Sequence, residues 1–457
     1  MREGVHNLED LPDELILEIV HYFKCIRSYE TQSTAFKMKS EEEERQRENR
    51  TRQRGLHSLC LTSRRLRGIA VPTLYASFMG SVSFYGMNPL KLFHRTVSSS
   101  DCATGLDNRL VDYVQYIENR SSDFLGNNLG DDAECPGVEH MLARYYYLLA
   151  DIVRSAPNLE HLSVVSIETD ETSLWRHLVP MEAEADAPPS LTTIENHGLG
   201  KLHTLCLQVH TQFGASGTAA DFFRICSELT SLPSLSDYRA SGATSNEPSL
   251  PLVGTFKSLQ RVEITECELD LDEVAALWTA CNRLRHIVCA WAYRDYASEL
   301  PSDLYPGLLP HTGTLETLHL DMREVHFSRP LDSARALGSL RPFTALKSMA
   351  MCERTLWGVY LPLVDDPDPA SHDRLSELIP FGLESFSLLF ESDIEAYCRL
   401  ENVIAMTDLL HDLELHPLLL KEIKIISDHA LNASSMEAAF AKVGVSLTTL
   451  VDEFRRY

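Results

Sequence analysis

Hydrophobic positions along the chain repeat with two different periods. The first is helical. The stretch LEDLPDELILEIVHYF at residues 8–23 places Leu11, Leu15, Ile19 and Val20 on one stripe, with Ile16 and Phe23 beside them. That spacing predicts an amphipathic helix with a buried face. Asp10 is a candidate N-cap, and Pro12 suits the first turn because the N–H it lacks would be unpaired there anyway. Asp13 and Glu14 favour the positive end of the helix dipole. A second helical stretch starts at Leu56, where Leu56, Leu59, Cys60, Ser63, Leu66, Ile69 and Ala70 share one face. Pro72 is expected to end or kink it, with Leu74, Tyr75 and Phe78 following as apolar anchors.

Between these stretches lies a polar interval, residues 24–55, with the core KMKSEEEERQRENRTRQR. Glu41, Glu42, Glu43 and Glu44 face Arg45, Arg47, Arg50 and Arg52 at i, i+3 and i+4 spacings, which suits a single solvated helix. The interval has almost no apolar face to bury, which suits disorder equally well.

Beyond residue 80 the period shortens to two. Strand-like runs recur at 113–119, 158–167, 201–209, 258–267, 283–291, 314–322, 345–353, 382–390 and 419–427. Most follow L-x-x-L-x-L, with Ile, Val, Met or Phe allowed at the later positions. The lead-in leucines are Leu159, Leu202, Leu259, Leu284, Leu315, Leu346, Leu383 and Leu420, at steps that vary from 25 to 57 residues. In each phrase the last two apolar positions alternate like a strand with one buried face, and the first fits the turn leading in. One such strand cannot bury its face alone, whereas stacked copies form a parallel sheet with a continuous apolar interior. Parallel strands need crossovers, and helical ones are expected at 141–156, 271–281 and 393–413. Residues 184–193, 239–251 and 363–373 have loop composition. An ordinary α/β sheet would show some of these phrases; their recurrence favours a repeat array.

The length of 457 residues allows two or three domains or one extended array. Net charge is −25, from 41 basic and 66 acidic residues, which disfavours nucleic acid and anionic membrane as partners. The one basic run, Arg45 to Arg54, is diluted by acidic neighbours. The first residues lack a signal-peptide pattern, and no apolar run is long enough for a bilayer, so a cytoplasmic or nuclear location is expected. The eleven cysteines are scattered without zinc-ligand spacing, as expected of buried, reduced thiols. The glycosylation patterns at Asn119 and Asn432 are expected to be chance.

Chemistry is sparse. No metalloprotease, nucleophile-elbow, P-loop or dinucleotide-binding motif occurs. The carboxylates Asp365, Asp366, Asp368 and Asp373 alternate with prolines and lack the glycine and closing glutamate of a calcium loop. His203, His210, His311 and His319 read as surface or strand-end residues, and Tyr145 to Tyr147 with Trp278, Trp291 and Trp357 as core. No catalytic residue, metal or cofactor is expected. Glu316, Thr317, His319 and Asp321 face outward between buried leucines and are candidates for a binding face, as any solvated strand positions would be.

The two helical halves together resemble an F-box. The resemblance is carried by Leu11, Pro12 and Glu14, then Leu15, Ile19 and Val20, then Leu59, Leu61, Ser63, Arg64 and Leu66, with Pro72 and Tyr75 after. The later layout is similar to F-box proteins of filamentous fungi. The family joins its two halves by a few residues, whereas here residues 24–55 intervene. What the resemblance implies is an α/β chain in which a small all-α F-box-like module at 6–78 precedes an irregular leucine-rich-repeat solenoid at 82–457. It implies a non-enzymatic substrate receptor of a cullin-type ubiquitin ligase. The module would dock on a Skp-type adaptor through Leu8, Leu11, Pro12, Leu15, Ile19, Leu59, Leu61 and Leu66, and the repeats would bind a target protein. A ligase-independent interaction scaffold is the alternative. For the helices themselves, the alternative is a self-contained cap on the end of the array.

Overall fold

In the computed structural model, all nine leucine-led phrases become β-strands. The residues described are 8–28, 39–83, 85–98, 109–121, 136–168, 174–178, 199–211, 222–244, 252–328, 335–352, 355–356, 375–390, 409–413, 419–427 and 434–451. The fold is α/β, with parallel strands and intervening helices. It comprises two compact units, residues 1–220 with 232–234, and residues 221–231 with 235–457.

The first unit opens with three helices, α1 (Asp13–Tyr22), α2 (Lys39–Thr62) and α3 (Arg64–Tyr75). Four parallel strands follow, β1 (Ser77–Val82), β2 (Tyr116–Ser121), β3 (His161–Glu168) and β4 (Thr204–Thr211), paired in chain order. Helices α4 (Met87–Ser98) and α5 (Pro136–Ser155) lie between strands, and α5 covers the crossover expected at 141–156. Tyr145 and Tyr146 are core residues of α5, but Tyr147 is exposed. Asn119 is buried, with its side-chain oxygen accepting from the Val165 N–H at 2.5 Å, so its glycosylation pattern is inaccessible.

The second unit repeats one strand position many times. Its sheet runs β5 (Asp237–Ser241), β6 (Arg261–Cys267), β7 (His286–Trp291), β9 (Thr317–Asp321), β11 (Ser348–Cys352), β12 (Ser385–Leu389), β13 (Glu422–Ser427) and β14 (Ser446–Val451), all parallel. Two short strands, β8 (Arg294–Ala297) and β10 (Val325–Phe327), pair separately. Register stacks Tyr238, Val262, Ile287, Leu318, Met349, Phe386, Ile423 and Leu447 in one buried row. A second row joins Ala240, Ile264, Cys289, Leu320, Met351, Leu388 and Ile425, and the lead-in leucines are buried as well. Each phrase thus supplies the same positions to one ladder, as its spacing requires. Helix α6 (Leu271–Thr279) realises the crossover expected at 271–281, and its Trp278 is buried, as is Trp291 in β7.

The turn before each strand stacks too. The Arg285 carbonyl accepts from the N–H groups of Glu316 and Thr317, that of Glu316 from Lys347 and Ser348, and that of Lys347 from Glu384 and Ser385. Their side chains, ending with Lys421, form a column of alternating charge. Arg285–Glu316 and Lys421–Glu384 pair at 2.5 Å, and these bonds hold both glutamate carboxyls below their usual range. Correct stacking brings unlike charges together, and omitting one turn brings like charges together. Glu316→Lys, which places three cations in succession, is expected to lower the melting temperature by about 2 °C. Inverting all five charges should restore it; thermal unfolding of the two variants checks this.

Several expectations are corrected. Residues 239–241 belong to β5, not to a loop. The phrase there is Leu235-x-x-Tyr238-x-Ala240, with Tyr and Ala in place of aliphatic residues. The helical face expected from Leu56 to Ala70 breaks at Ser63, which caps α3 by accepting from the Leu66 N–H at 3.3 Å. Helix α3 runs through Pro72 to Tyr75, because burial of Leu66, Ala70 and Val71 outweighs one missing hydrogen bond. Asp10 lies in a short turn at Leu8–Asp10, and Pro12 precedes α1 without a side-chain cap. His311 is fully buried. The segment 363–373, most of 393–413, Asn432 and Trp357 lie outside the described residues.

Candidate docking surface

The three N-terminal helices share one small core of Ile16, Val20, Leu56, Leu66 and Ala70. Leu8, Leu11, Phe23, Leu59, Cys60, Ile69 and Leu74 pack around it, partly buried. The buried face of α1 is therefore Ile16 and Val20, continued by the partly buried Phe23 just past its end, and Leu15 of the stripe from Leu11 falls outside it. That rotation turns Leu15 and Leu17 outward, at 51% and 44% exposure.

Three sets of contacts accompany this rotation. Arg65 at the start of α3 pairs with Asp13 at 2.6 Å and donates to the Leu11 carbonyl at 2.7 Å, joining the N-termini of α1 and α3. At the other end of α1 the Phe23 ring lies against Gly55 of α2. A β-carbon on Gly55 would stand 2.6 Å from that ring, so only glycine permits the approach. Arg52 of α2 reaches back over the Tyr22 ring, 5.1 Å from its centre, and donates to the Lys24 carbonyl at 2.8 Å.

The residues singled out from sequence therefore separate. Pro12, Leu15 and Leu61 are exposed, and Leu61 is 74% so. Leu8, Leu11 and Leu59 are half-buried at the rim of the core, Leu66 is inside it, and Ile19 is half-buried. Leu17 and Tyr22 join the exposed group without having been expected. The i, i+4, i+7 spacing of Ile16, Val20 and Phe23 was the available signal, and it competes with the equally regular Leu11, Leu15 and Ile19.

The polar interval has two faces. Arg45 and Asn49, one helical turn apart on α2, are buried. Asn49 Oδ1 accepts from the Ile26 N–H at 2.8 Å, and its Nδ2 donates to the Ile26 carbonyl at 2.9 Å. Arg45 donates to the same carbonyl at 2.6 Å and to Glu118 of β2 at 2.8 Å. The buried Glu118 carboxylate also accepts from the Tyr116 hydroxyl and from Arg120. Ser28 donates its N–H to the Tyr116 hydroxyl at 3.3 Å, and Arg27 contacts the His161 ring and lies 3.6 Å from Glu160. Cys25 lies 3.4 Å from Met79 Sδ; burial and the nearby Glu118 push its thiol up to about 12, so it is not nucleophilic. The interval is thus neither wholly solvated nor unstructured over its described part.

In the second unit, the outward-facing candidates are engaged within the chain. Glu316 belongs to the charge column, and Thr317 lies 3.2 Å from His286 Nδ1. Asp321 is buried and pairs with Arg323 at 2.7 Å. Burial pushes the His319 imidazole down to about 4. Toward β5, Arg239 donates to both Asp237 oxygens at 2.9 and 2.8 Å and lies 3.7 Å from Glu263. Arg261 closes the quartet at 3.8 and 3.9 Å from the same two acids.

Among the described residues, no three histidine, cysteine or acidic side chains are placed to hold a metal ion, and the eight cysteines are free thiols. No described helix is long and apolar enough to cross a membrane. No protein-family model matches the chain, and no curated protein matches it.

Proposed function

We propose that the chain is a substrate receptor of a cullin-type ubiquitin ligase. Its α1–α3 helices act as an F-box that docks on a Skp-type adaptor, and the strands beyond them act as a leucine-rich-repeat-like domain that binds the target. The role is non-catalytic. The observation that carries the reading is the set of exposed apolar residues Leu15, Leu17 and Leu61 on helices whose small core is already filled. Apolar side chains left on such a helical surface are matched by the groove or helix of a partner. The repeated strand rows of the second unit support the rest, because stacked parallel strands present broad surfaces suited to a protein target.

The test is direct binding of the full chain to a purified adaptor. Micromolar affinity or better is expected. Leu15→Asp with Leu61→Asp should weaken it at least about 30-fold, with unchanged circular dichroism, since both side chains are exposed and truncating a buried interface anchor costs about 2 kcal/mol or more. No binding by the native chain at micromolar concentration, or equal binding by the variant, overturns the reading. A ligase role further requires that the half-life of the bound target lengthens when the chain is removed. A stable complex with unchanged target turnover would mark a scaffold instead.

A further inference from the structure

We infer that residues 24–28, held by α2, form a strap, which locks the N-terminal helices onto the outward face of β1–β3 and closes that face to partners. The inference takes its purpose from the docking reading; its geometry stands apart from it. On β2, Ile117 points into the core, so Tyr116 and Glu118 lie on the opposite, outward face. Residues 25–28 cross this face. Cys25 meets Met79 of β1, Ser28 bonds to Tyr116 of β2, and Arg27 reaches His161 of β3.

The strap is fastened from above by α2. Asn49 satisfies both the N–H and the carbonyl of Ile26 with one amide, as a neighbouring strand would. Arg45 bridges that carbonyl to Glu118. Glu118 accepts from two guanidinium groups and a phenol, which is what a buried carboxylate needs to stay charged. These are specific, satisfied bonds, unlike the contacts of a solvated charged helix.

The lock has leverage because α2 is continuous from Lys39 to Thr62. From Arg45 to Leu61 it rises about 24 Å. Fixing Arg45 and Asn49 on the sheet therefore fixes where Leu61 stands. Gly55 and Arg52 fix α1 against the same helix. The described part of the insertion leaves Leu15, Leu17 and Leu61 uncovered and sets their orientation relative to β1–β3. An adaptor held by these residues would hold the strands in one orientation as well.

Hydrogen–deuterium exchange on the full chain tests this. In the native protein, residues 24–28, α1 and β2 are expected to open together, with the same denaturant dependence. Arg45→Ala with Asn49→Ala should speed exchange in residues 24–28 and α1 at least tenfold while β6 and β7 remain protected. Arg50→Ala, on the exposed side of α2, should leave exchange unchanged. Native opening of 24–28 with β2 still protected, or exchange in the double variant within twofold of native, overturns the strap. Global loss of protection in the double variant leaves the native-state measurement to decide. Adaptor binding is measured alongside: failure of the native chain to bind overturns the docking reading alone, and the exchange result then still decides the strap.

Discussion

Arg239→Ala is expected to destabilise the second unit by about 3–5 kcal/mol, the range for removing one partner from a buried ion pair. Arg239 and Glu263 are 5% and 1% exposed. The arginine is the hub of its quartet, with two bonds below 3 Å to Asp237 and a 3.7 Å contact to Glu263. Deleting it leaves two carboxylates with Arg261 as the cation of the quartet, at 3.8 and 3.9 Å. Arg239→Met with Glu263→Met removes a positive and a negative charge together and leaves Asp237 with Arg261. The double variant should recover most of the loss, with a coupling of about 2 kcal/mol or more. Native-state hydrogen exchange at β6 measures each. Additive losses would show that Arg239 and Glu263 do not act as a pair.

Arg239 also marks where sequence pattern stops revealing this fold. The buried row needs an apolar side chain at one position per strand, and Leu, Ile, Val, Met and Phe there made nine strands readable. Tyr238 and Ala240 fill the same two rows in β5 but break the leucine phrase, so its residues 239–241 have the composition of a loop. At β14 the position of the lead-in leucine is occupied by Gly444, which takes a φ of +83°, and the phrase again disappears. The charge column was legible in principle, since the residue after each lead-in leucine alternates from Arg285 to Lys421. It becomes meaningful only when the turns are known to stack.

The three N-terminal helices were legible as helices but not in their rotation. Two apolar stripes on α1 are almost equally regular, and the observed one is accompanied by the contacts of Arg65 with Asp13 and of Phe23 with Gly55. Those partners are 52 and 32 residues apart in sequence. The strap shows the same limit. Arg45 and Asn49 look like two more polar residues in a charged run, and their burial is decided by Glu118, on a strand 73 residues from Arg45. Local spacing reports an amphipathic surface; the identity of what covers it is long-range information.

His311→Ala should cost the second unit about 3 kcal/mol at pH 7 and also flatten its acid sensitivity. The buried imidazole joins two elements. Its Nδ1 accepts from the Leu284 N–H at 3.3 Å, and its Nε2 lies 2.9 Å from the Trp278 carbonyl near the end of α6. Only the neutral tautomer with its proton on Nε2 makes both bonds, since protonating Nδ1 would set two N–H groups against each other. Burial accordingly pushes His311 below its ordinary value of 6.5. In the unfolded chain the ring gains its proton as pH falls through about 6.5, while the folded chain resists until lower pH. The native stabilisation from this ring is therefore complete above 6.5 and is lost as pH falls toward the folded value, at up to about 1.4 kcal/mol per pH unit. His286 and His319 shift the same way, so some slope remains in the variant. His311→Gln, whose amide offers both a donor and an acceptor group, should recover part of the stability without the acid slope. Hydrogen exchange at β7 between pH 7 and 5 separates the contributions. A His311→Ala protein as stable as native, or one with the native acid slope intact, would show that the imidazole is not the link between α6 and the turn before β7.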